Sequence, residues 1–427
     1  MLRKVTTKLL SLNILGGDHE ITAKDVQPAL DYIHAYWHKL ERFHPKDDAS
    51  VLGLPNKYLV PAFEEDHEFD FNEMYYWDSF FMVQGMMDAE HEELVVGILD
   101  NMISLFERFR VIPNASRTYL MGRSQPPFLT TFIWEVYEAY GMDQKWLKKR
   151  MKVAEAEYHT VWMGTKKPNA RQVYKGLSRY YDINYLSDLA EAESGWDMTP
   201  RFGRKALQFV PADLNALLYK YEMDFARYYH LIDNKKEATK WEQAAKYRKR
   251  VMDGLMWSKL RGLYYDYNFK KEKRGTVSSL AAYYPMWAGM VTAKQADQMV
   301  KALKRFENKG GLATTDAQLS KIVPGMSSVP TQWAHPNGWA PLHFLVIQSL
   351  ERYGYHEDAK RIALKWLTTN LDWFNEHGVF IEKYNVVTPD KPPAKGVYPS
   401  QTGFGWTNAV FEYLCNQYVD GIGPDKP

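Results

Sequence analysis

Over most of this chain apolar residues recur at three- and four-residue intervals, the spacing that lines one face of a helix. Ala29, Leu30, Ile33, Tyr36 and Trp37 set that rhythm within 25–42. The same pattern predicts helices over 76–88, 91–109, 128–140, 145–163, 212–232 and 235–257. Shorter helices are expected over 277–290, 294–306 and 315–320, and longer ones over 340–353, 356–376 and 404–419. Alternation is confined to GLYYDYN (262–268) and VFIEKY (379–384), which read as short strands. Residues 1–24 read as an extended lead-in.

Long loops rich in Trp, Pro, Asn, Gln and Gly separate these helices, at 43–67, 111–128, 166–202, 323–341 and 383–403. Loops of that length inside a compact domain are usually functional. About a dozen helices, paired in sequence with alternate connections long, suit an all-α ring of six helical hairpins whose long loops gather at one end. That is an (α/α)6 barrel, and at ~1.5 Å of rise per residue the chain has the length it needs. A superhelical solenoid is the rival, but no repeat of fixed period is visible. No shift in composition marks a linker, so a single domain over 1–427 is expected.

Composition narrows the function classes. A formal net charge of +2 on 427 residues argues against nucleic acid or a membrane surface as partner. Hydrophobic residues at 45% provide ample core. The 14 Trp, 29 Tyr and 20 Phe provide flat apolar faces, which either line a carbohydrate cleft or fill the core. Cys415 is the single cysteine, so no intrachain disulfide forms and a reducing compartment is expected. The start, MLRKVTTKLLSLNILGG, resembles a secretory signal in charge. It lacks a small-residue cleavage site, however, and Ser11 and Asn13 break its apolar run. With no run long enough to span a bilayer, a cytoplasmic protein is expected. Nothing in the sequence bears on oligomeric state.

Histidine spacing matches no metal motif, and neither a GxGxxG, a GxxxxGK[ST] nor a G-x-S-x-G element is present, so no metal and no cofactor are expected. What remains are carboxylates, arginines, amides and aromatics on loops. In ESGWDMTPRF (193–202), Asp197 follows Gly195 and Trp196 and precedes Pro200, in a tight loop. It is either a proton donor beside an apolar plate or the cap of a helix starting near Pro200. In GVFIEKYN, Glu382 follows an apolar run that would desolvate it, with Lys383, Tyr384 and Asn385 to orient it. It is either a catalytic carboxylate or half of a surface ion pair. Glycoside hydrolysis needs two such carboxylates with polar groups to grip hydroxyls.

Taken in order, the loop segments resemble the trehalases, inverting glycosidases that split α,α-trehalose into two glucoses. FNEMYYWDSFF (71–81) is similar to the family's F-x-E-x-Y-x-W-D signature, and IPNASRTYLMGRSQPPF (112–128) to its IPN…SRSQPPF segment. ESGWDMTPRF is similar to SGWD-x-S-x-RW, VPADLNALLY (210–219) to V-P-V-D-L-N, and QWAHPNGWAP (332–341) to QWD-x-PNGWAP. EKYN and QTGFGWTNAV complete the series in the family's order, so the resemblance covers nearly the whole chain. It implies the (α/α)6 barrel again and a disaccharide as small-molecule substrate.

Carried over residue by residue, the resemblance implies Asp197 as general acid and Glu382 as general base, roughly 6.5–9.5 Å apart to admit a water. It implies Trp77 and Asp78 holding a glucose, Asn114, Arg123 and Gln125 binding hydroxyls, and Trp196, Trp339 and Trp406 walling the pocket. Arg123 has a second reading as a structural ion pair. There are departures. Asp70 stands where the family has a sugar-binding arginine, Ala334 where it has Asp, and Thr402 where it has Glu. A further arginine before the catalytic loop has no counterpart, so Arg201 and Arg179 are the candidates to supply its charge. Acid and base are retained while part of the grip is not. This leaves open a related inverting α-glycosidase for another glucosyl disaccharide or glucoside, or a non-catalytic sugar-binding relative.

Overall fold

A computed structural model of the chain describes residues 21–63, 71–165, 167, 170–317, 331–394, 396 and 400–422. In chain order its helices are α1 (Ala23–Leu40), α2 (Tyr76–Met82), α3 (Glu92–Phe109), α4 (Leu129–Ala139), α5 (Gln144–Glu157), α6 (Ser187–Ala192) and α7 (Ala212–Leu231). They continue with α8 (Lys235–Leu255), α9 (Tyr284–Trp287), α10 (Ala293–Leu303), α11 (Ala340–Arg352), α12 (His356–His377) and α13 (Gly405–Tyr418).

Two kinds of helix alternate. Every residue of α2 and α9 is buried, and α7, α11 and α13 are buried on most sides. A helix apolar all round belongs inside. In α8, by contrast, only Ala238, Trp241, Ala245, Arg248 and Met252 are buried, at the three-and-four spacing of a single inward stripe. The inner helices touch in a ring: α2 on α13, α13 on α11, α11 on α9, α9 on α7, and α7 on α4. Phe80 of α2 closes it, stacked at 4.4 Å on Phe128, which precedes α4, and edge-on to Phe132 within α4. Outside lie α1 on α13, α3 and α5 on α4, α8 on α7, and α12 on α11. The Tyr283 hydroxyl ties α10 in by donating to the Met299 carbonyl at 2.9 Å. Among the described residues six inner and six outer helices, with α6 in a loop, make the (α/α)6 barrel.

The long helices fall within a few residues of their predicted bounds. The helix expected over 277–290 is instead a 3-10 turn (Leu280–Tyr283) running into α9, where Pro285 supplies no backbone N–H for a longer ladder. The helix expected over 315–320 is not formed at 315–317, where Thr315 bridges to Ser279; residues 318–320 lie outside the described residues. The strand over 262–268 is two short pieces, Leu263–Tyr264 and Tyr267–Asn268, in different sheets. The loop expected over 166–202 carries a hairpin (Gln172–Tyr174 with Leu177–Ser178) and α6. Of the lead-in, 1–20 lie outside the described residues, and α1 already begins at Ala23, capped by a Thr22–Asp25 box. The strand at Lys383–Asn385 pairs antiparallel with Asn337–Trp339, drawing two distant loops together at one end of the ring.

Phe80→Ala removes the stack that closes the inner ring and should destabilise the protein by about 3–5 kcal/mol. Urea unfolding would show this as a lower midpoint; an unchanged midpoint would remove Phe80 from its place in ring closure.

Candidate active site

The loop after α6 is built to present Asp197. Gly195 sits at φ +73, and a Cβ there would lie 2.5 Å from the Trp77 ring, so only glycine lets the loop close on that indole. The Ser194 hydroxyl donates to the Glu191 carbonyl at 2.5 Å and accepts from Trp196 N–H at 3.1 Å. Glu191 of α6 accepts from Thr199 N–H at 2.8 Å, gripping the far end of the loop. The cap of the short helix at Pro200–Phe202 is Thr199, whose hydroxyl accepts from Arg201 N–H at 3.4 Å. Asp197 is therefore not that cap.

The segment Gln332–Trp339 docks on this loop. The Gln332 amide donates to the Asp197 carbonyl at 2.7 Å, and Trp333 N–H to the Met198 carbonyl at 3.3 Å. Trp333 stacks on Trp339 at 3.7 Å and 3°, with Trp196 beyond its other side at 5.5 Å and 19°. Trp77 and Trp406 complete the wall, 5.8 Å from each other and 5.7 and 6.2 Å from Trp333. Trp333 is the indole that sequence reasoning passed over, although it lies in the quoted QWAHPNGWAP.

Glu382 is buried at the mouth of the strand at Lys383–Asn385. Lys383 Nζ donates to its Oε2 at 2.5 Å, and that ammonium lies 5.1 Å from the centre of the Trp339 ring, its cross-strand neighbour. The ion pair to a neighbouring lysine thus exists, but inside the protein rather than at the surface. Trp406 Nε1 donates to the Glu382 carbonyl at 3.3 Å.

Asp78, Asp197 and Glu382 share one electrostatic environment. Burial pushes Asp197 up to about 7; the Glu382 charge adds to that, while Arg123 and Lys383 oppose it. Burial pushes Asp78 to about 8, against a hydrogen bond from Gln125 and with help from the other two carboxylates. Gln125 also accepts from Trp77 N–H at 2.9 Å, so one amide fixes both residues of the Trp–Asp pair. The Asn114 amide donates to the Ser124 carbonyl at 3.2 Å and holds the loop carrying Arg123 and Gln125. Arg123 Nη1 meets Asp182 at 3.2 Å, while its buried Nε has no partner among the described residues. Arg123 is thus ion-paired, the second of its two readings, and its charge also lowers Asp197 against the effect of burial.

Glu193 went unnoticed as more than a letter of the motif. It accepts from Ser124 N–H and Tyr181 N–H, each at 2.7 Å, and pairs with Arg171, stapling the Arg123 loop to the Asp197 loop.

Arg201 is a correction. Its side chain is 0% exposed, with Asp213 held at 2.7 and 2.8 Å and Asp266 at 2.9 and 3.0 Å, and its guanidinium 4.5 Å from the Trp196 ring centre. It is a structural cation beneath the wall and does not reach a sugar. Arg179 likewise donates to the carbonyls of Ala170 (2.8 Å) and Leu207 (2.6 Å). Of the departures, Ala334 is buried, Thr402 is half-buried and bridges to Ile381, and Asp70 lies outside the described residues.

The ring of paired helices and the carboxylate-bearing, tryptophan-walled end define an (α/α)6 barrel of the glycosidase kind. A family profile described as Trehalase matches residues 17–188 and 180–419, and the chain belongs to the trehalase family. A cytosolic neutral trehalase from Kluyveromyces lactis is 31% identical over 432 residues, covering 84% of this chain and 56% of that protein. The chain thus spans little more than half the length of that curated relative. Neutral trehalase Nth1 from Saccharomyces cerevisiae superposes with a TM-score of 0.74 at 28% identity, covering 89% of this chain and 76% of that one. A mannosylglycerate hydrolase from Thermus thermophilus shares the fold, with a TM-score of 0.65 at 16% identity over 90% of this chain and 98% of that one. Among the described residues no helix is long and apolar enough to cross a membrane.

Arg201→Met leaves Asp213 and Asp266 buried without their cation and should cost about 3–5 kcal/mol in chemical unfolding. A variant as stable as wild type would return Arg201 to the candidates for sugar contact.

The raised value at Asp78 also sets a pH dependence of stability. Unfolded, this carboxyl ionises near 3.8; folded, near 8. The stability it gives is complete below the unfolded value and is lost as pH rises towards 8. In thermal melts at pH 5 and pH 8, Asp78→Asn should gain on wild type at the higher pH. A pH-independent difference would contradict the buried, protonated carboxyl.

Proposed function

We propose that this protein is an inverting glycoside hydrolase that cleaves α,α-trehalose to two glucoses in the cytoplasm, with Asp197 as general acid and Glu382 as general base. The observation that carries this reading is the unequal treatment of two neighbouring carboxylates. Asp197 is held protonated up to about 7 by burial, while Glu382 is gripped by an ammonium. Environments that treat two carboxyl groups differently assign them different roles.

In this reaction Asp197 gives its proton to the glycosidic oxygen as the bond to the anomeric carbon breaks. Glu382 takes a proton from a water attacking that carbon from the opposite face, and the configuration inverts. Asp78, neutral near pH 7, and Gln125 bind hydroxyls of the glucose undergoing attack, with Arg123 beside the acid. The tryptophan wall excludes bulk water. A second reading, an α-glucoside with a different leaving group, is favoured by Ala334 and Thr402, which lack the carboxylates the family places there.

Incubation with trehalose, with anomers followed by NMR, should show equal initial release of α- and β-glucose. Asp197→Asn and Glu382→Gln should each lower kcat/KM by roughly 10²–10⁴-fold. Turnover should fall as pH rises past about 7, where Asp197 loses its proton. Undiminished hydrolysis by Asp197→Asn would overturn the assignment of the acid.

A further inference from the structure

Glu382 and Lys383 are adjacent in the chain, and in a regular strand adjacent side chains point to opposite faces. Here they meet, because the chain bends at Glu382 and the strand begins only at Lys383. The Glu382 backbone is clamped at both ends. Its N–H donates to the Gln401 carbonyl at 3.0 Å, and its carbonyl accepts from Trp406 Nε1. Tyr384 fixes the approach: its hydroxyl accepts from Ile381 N–H at 3.2 Å, and its ring stands edge-on to Trp366 and Trp373. The bend is thus set from outside the strand, and it turns the carboxylate onto the Lys383 ammonium.

That ammonium has a second neighbour. Antiparallel pairing puts Lys383 opposite Trp339, and Nζ lies 5.1 Å from the centre of the indole, within reach of a cation–π contact. Trp333 covers one face of Trp339 at 3.7 Å and 3°. Trp339 Nε1 is engaged as well, donating to the Gln332 carbonyl at 3.2 Å. With Trp339 0% exposed, no face of it is left for a sugar ring to stack on. Its ring serves the lysine instead.

Three carboxyls act on one another here: Asp78 from α2, Asp197 from the loop after α6, and Glu382. Asp78 and Glu382 are withdrawn from water alike, at 5% and 1% exposed, and burial pushes Asp78 up to about 8. Asp78 has the neutral amide of Gln125, and Asp197 feels Arg123, which is itself paired with Asp182. Glu382 alone of the three has a cation bonded to it among the contacts above. A buried ion pair is weak evidence of stability, so this one is read by what it fixes. Resting on the reading of Glu382 as general base, we propose that Trp339 and Lys383 form a positioning relay. The indole seats the ammonium, and the ammonium holds the Glu382 carboxylate in place and in the charged form that a base requires.

The test follows the Glu382 carboxyl itself by NMR, in the full chain isotope-labelled at its glutamate carboxyls, with Glu382→Gln identifying the signal. In Lys383→Met its titration midpoint should rise by about 1–3 pH units, the effect of removing an opposite charge in contact. Lys383→Arg, which keeps the charge, should restore most of the wild-type midpoint. Lys383→Gln, which keeps a donor without the charge, should not, and it stands in where the methionine variant fails to fold. Trp339→Phe, a weaker seat for a cation, should raise the midpoint by about 0.5 pH unit. In trehalose turnover the acid limb of kcat/KM should move with the carboxyl in each variant, while KM in Trp339→Phe stays within about twofold of wild type. An unchanged midpoint without the lysine charge would overturn the relay. So would a midpoint that moves while the acid limb does not, or a KM about tenfold higher in Trp339→Phe, the mark of an indole that stacks on sugar. A moved midpoint in a protein that leaves trehalose intact would keep the ammonium's hold on Glu382 and remove the hydrolysis it is assigned to.

Discussion

The indole of Trp333 holds the site together. It meets Trp339 of its own segment on one face and Trp196 of the acid loop on the other, with Trp77 from α2 and Trp406 from α13 at its edges. Segments far apart in the chain thereby share one apolar contact. The low dielectric that keeps Asp78 and Asp197 protonated near neutrality comes from this packing as a whole rather than from any one neighbour. The same packing would expel a lone cation. Arg201 can lie against Trp196 because Asp213 and Asp266 neutralise it from both sides.

Within that dry region, carboxylates a few residues apart are treated differently. Glu191 is raised to about 8 by burial, Asp197 to about 7, and Glu193 between them is tied by Arg171 and two backbone amides. The division follows the supply of donors. Glu193, offered an arginine and two backbone amides, serves as a staple; Glu191, offered the single backbone amide of Thr199, is raised by its burial in spite of it. A single loop thus contains both the fastening and the candidate reactive group, and the fastening residue fixes the arginine that modulates the reactive one.

The ring itself was legible because amphipathic spacing survives in every long outer helix, and length and pairing then leave few architectures. Short elements were not. Residues 277–290 and 315–317 form turns and bridges fixed by partners distant in sequence, such as Ser279 opposite Thr315, which no local pattern encodes. Motif order brought Asp197, Glu382, Asp78 and Gln125 to one end of the barrel. It could not tell Arg123 from Arg201, since both are arginines in matching loops. What separates them is the pair of aspartates, Asp213 on α7 and Asp266 in a loop, that folding brings to Arg201. Ala334 and Thr402 stood out as departures without showing where a leaving group would go instead.

Ring closure has a further consequence. Trp77 and Trp406 are about 330 residues apart in sequence and touch where α13 returns to α2. Just outside, Gly421 lies beside Ala23, a Cβ at its position being 3.7 Å from that alanine's. The seam where α13 meets α2 therefore also carries two of the tryptophans packed around the candidate site. A chain with every hairpin folded but the seam open would have a barrel's helices and no enclosed site. The order of the candidate site then depends on a contact of very long range in sequence, and a wedge driven into that seam would disturb Asp78 and Glu382 together.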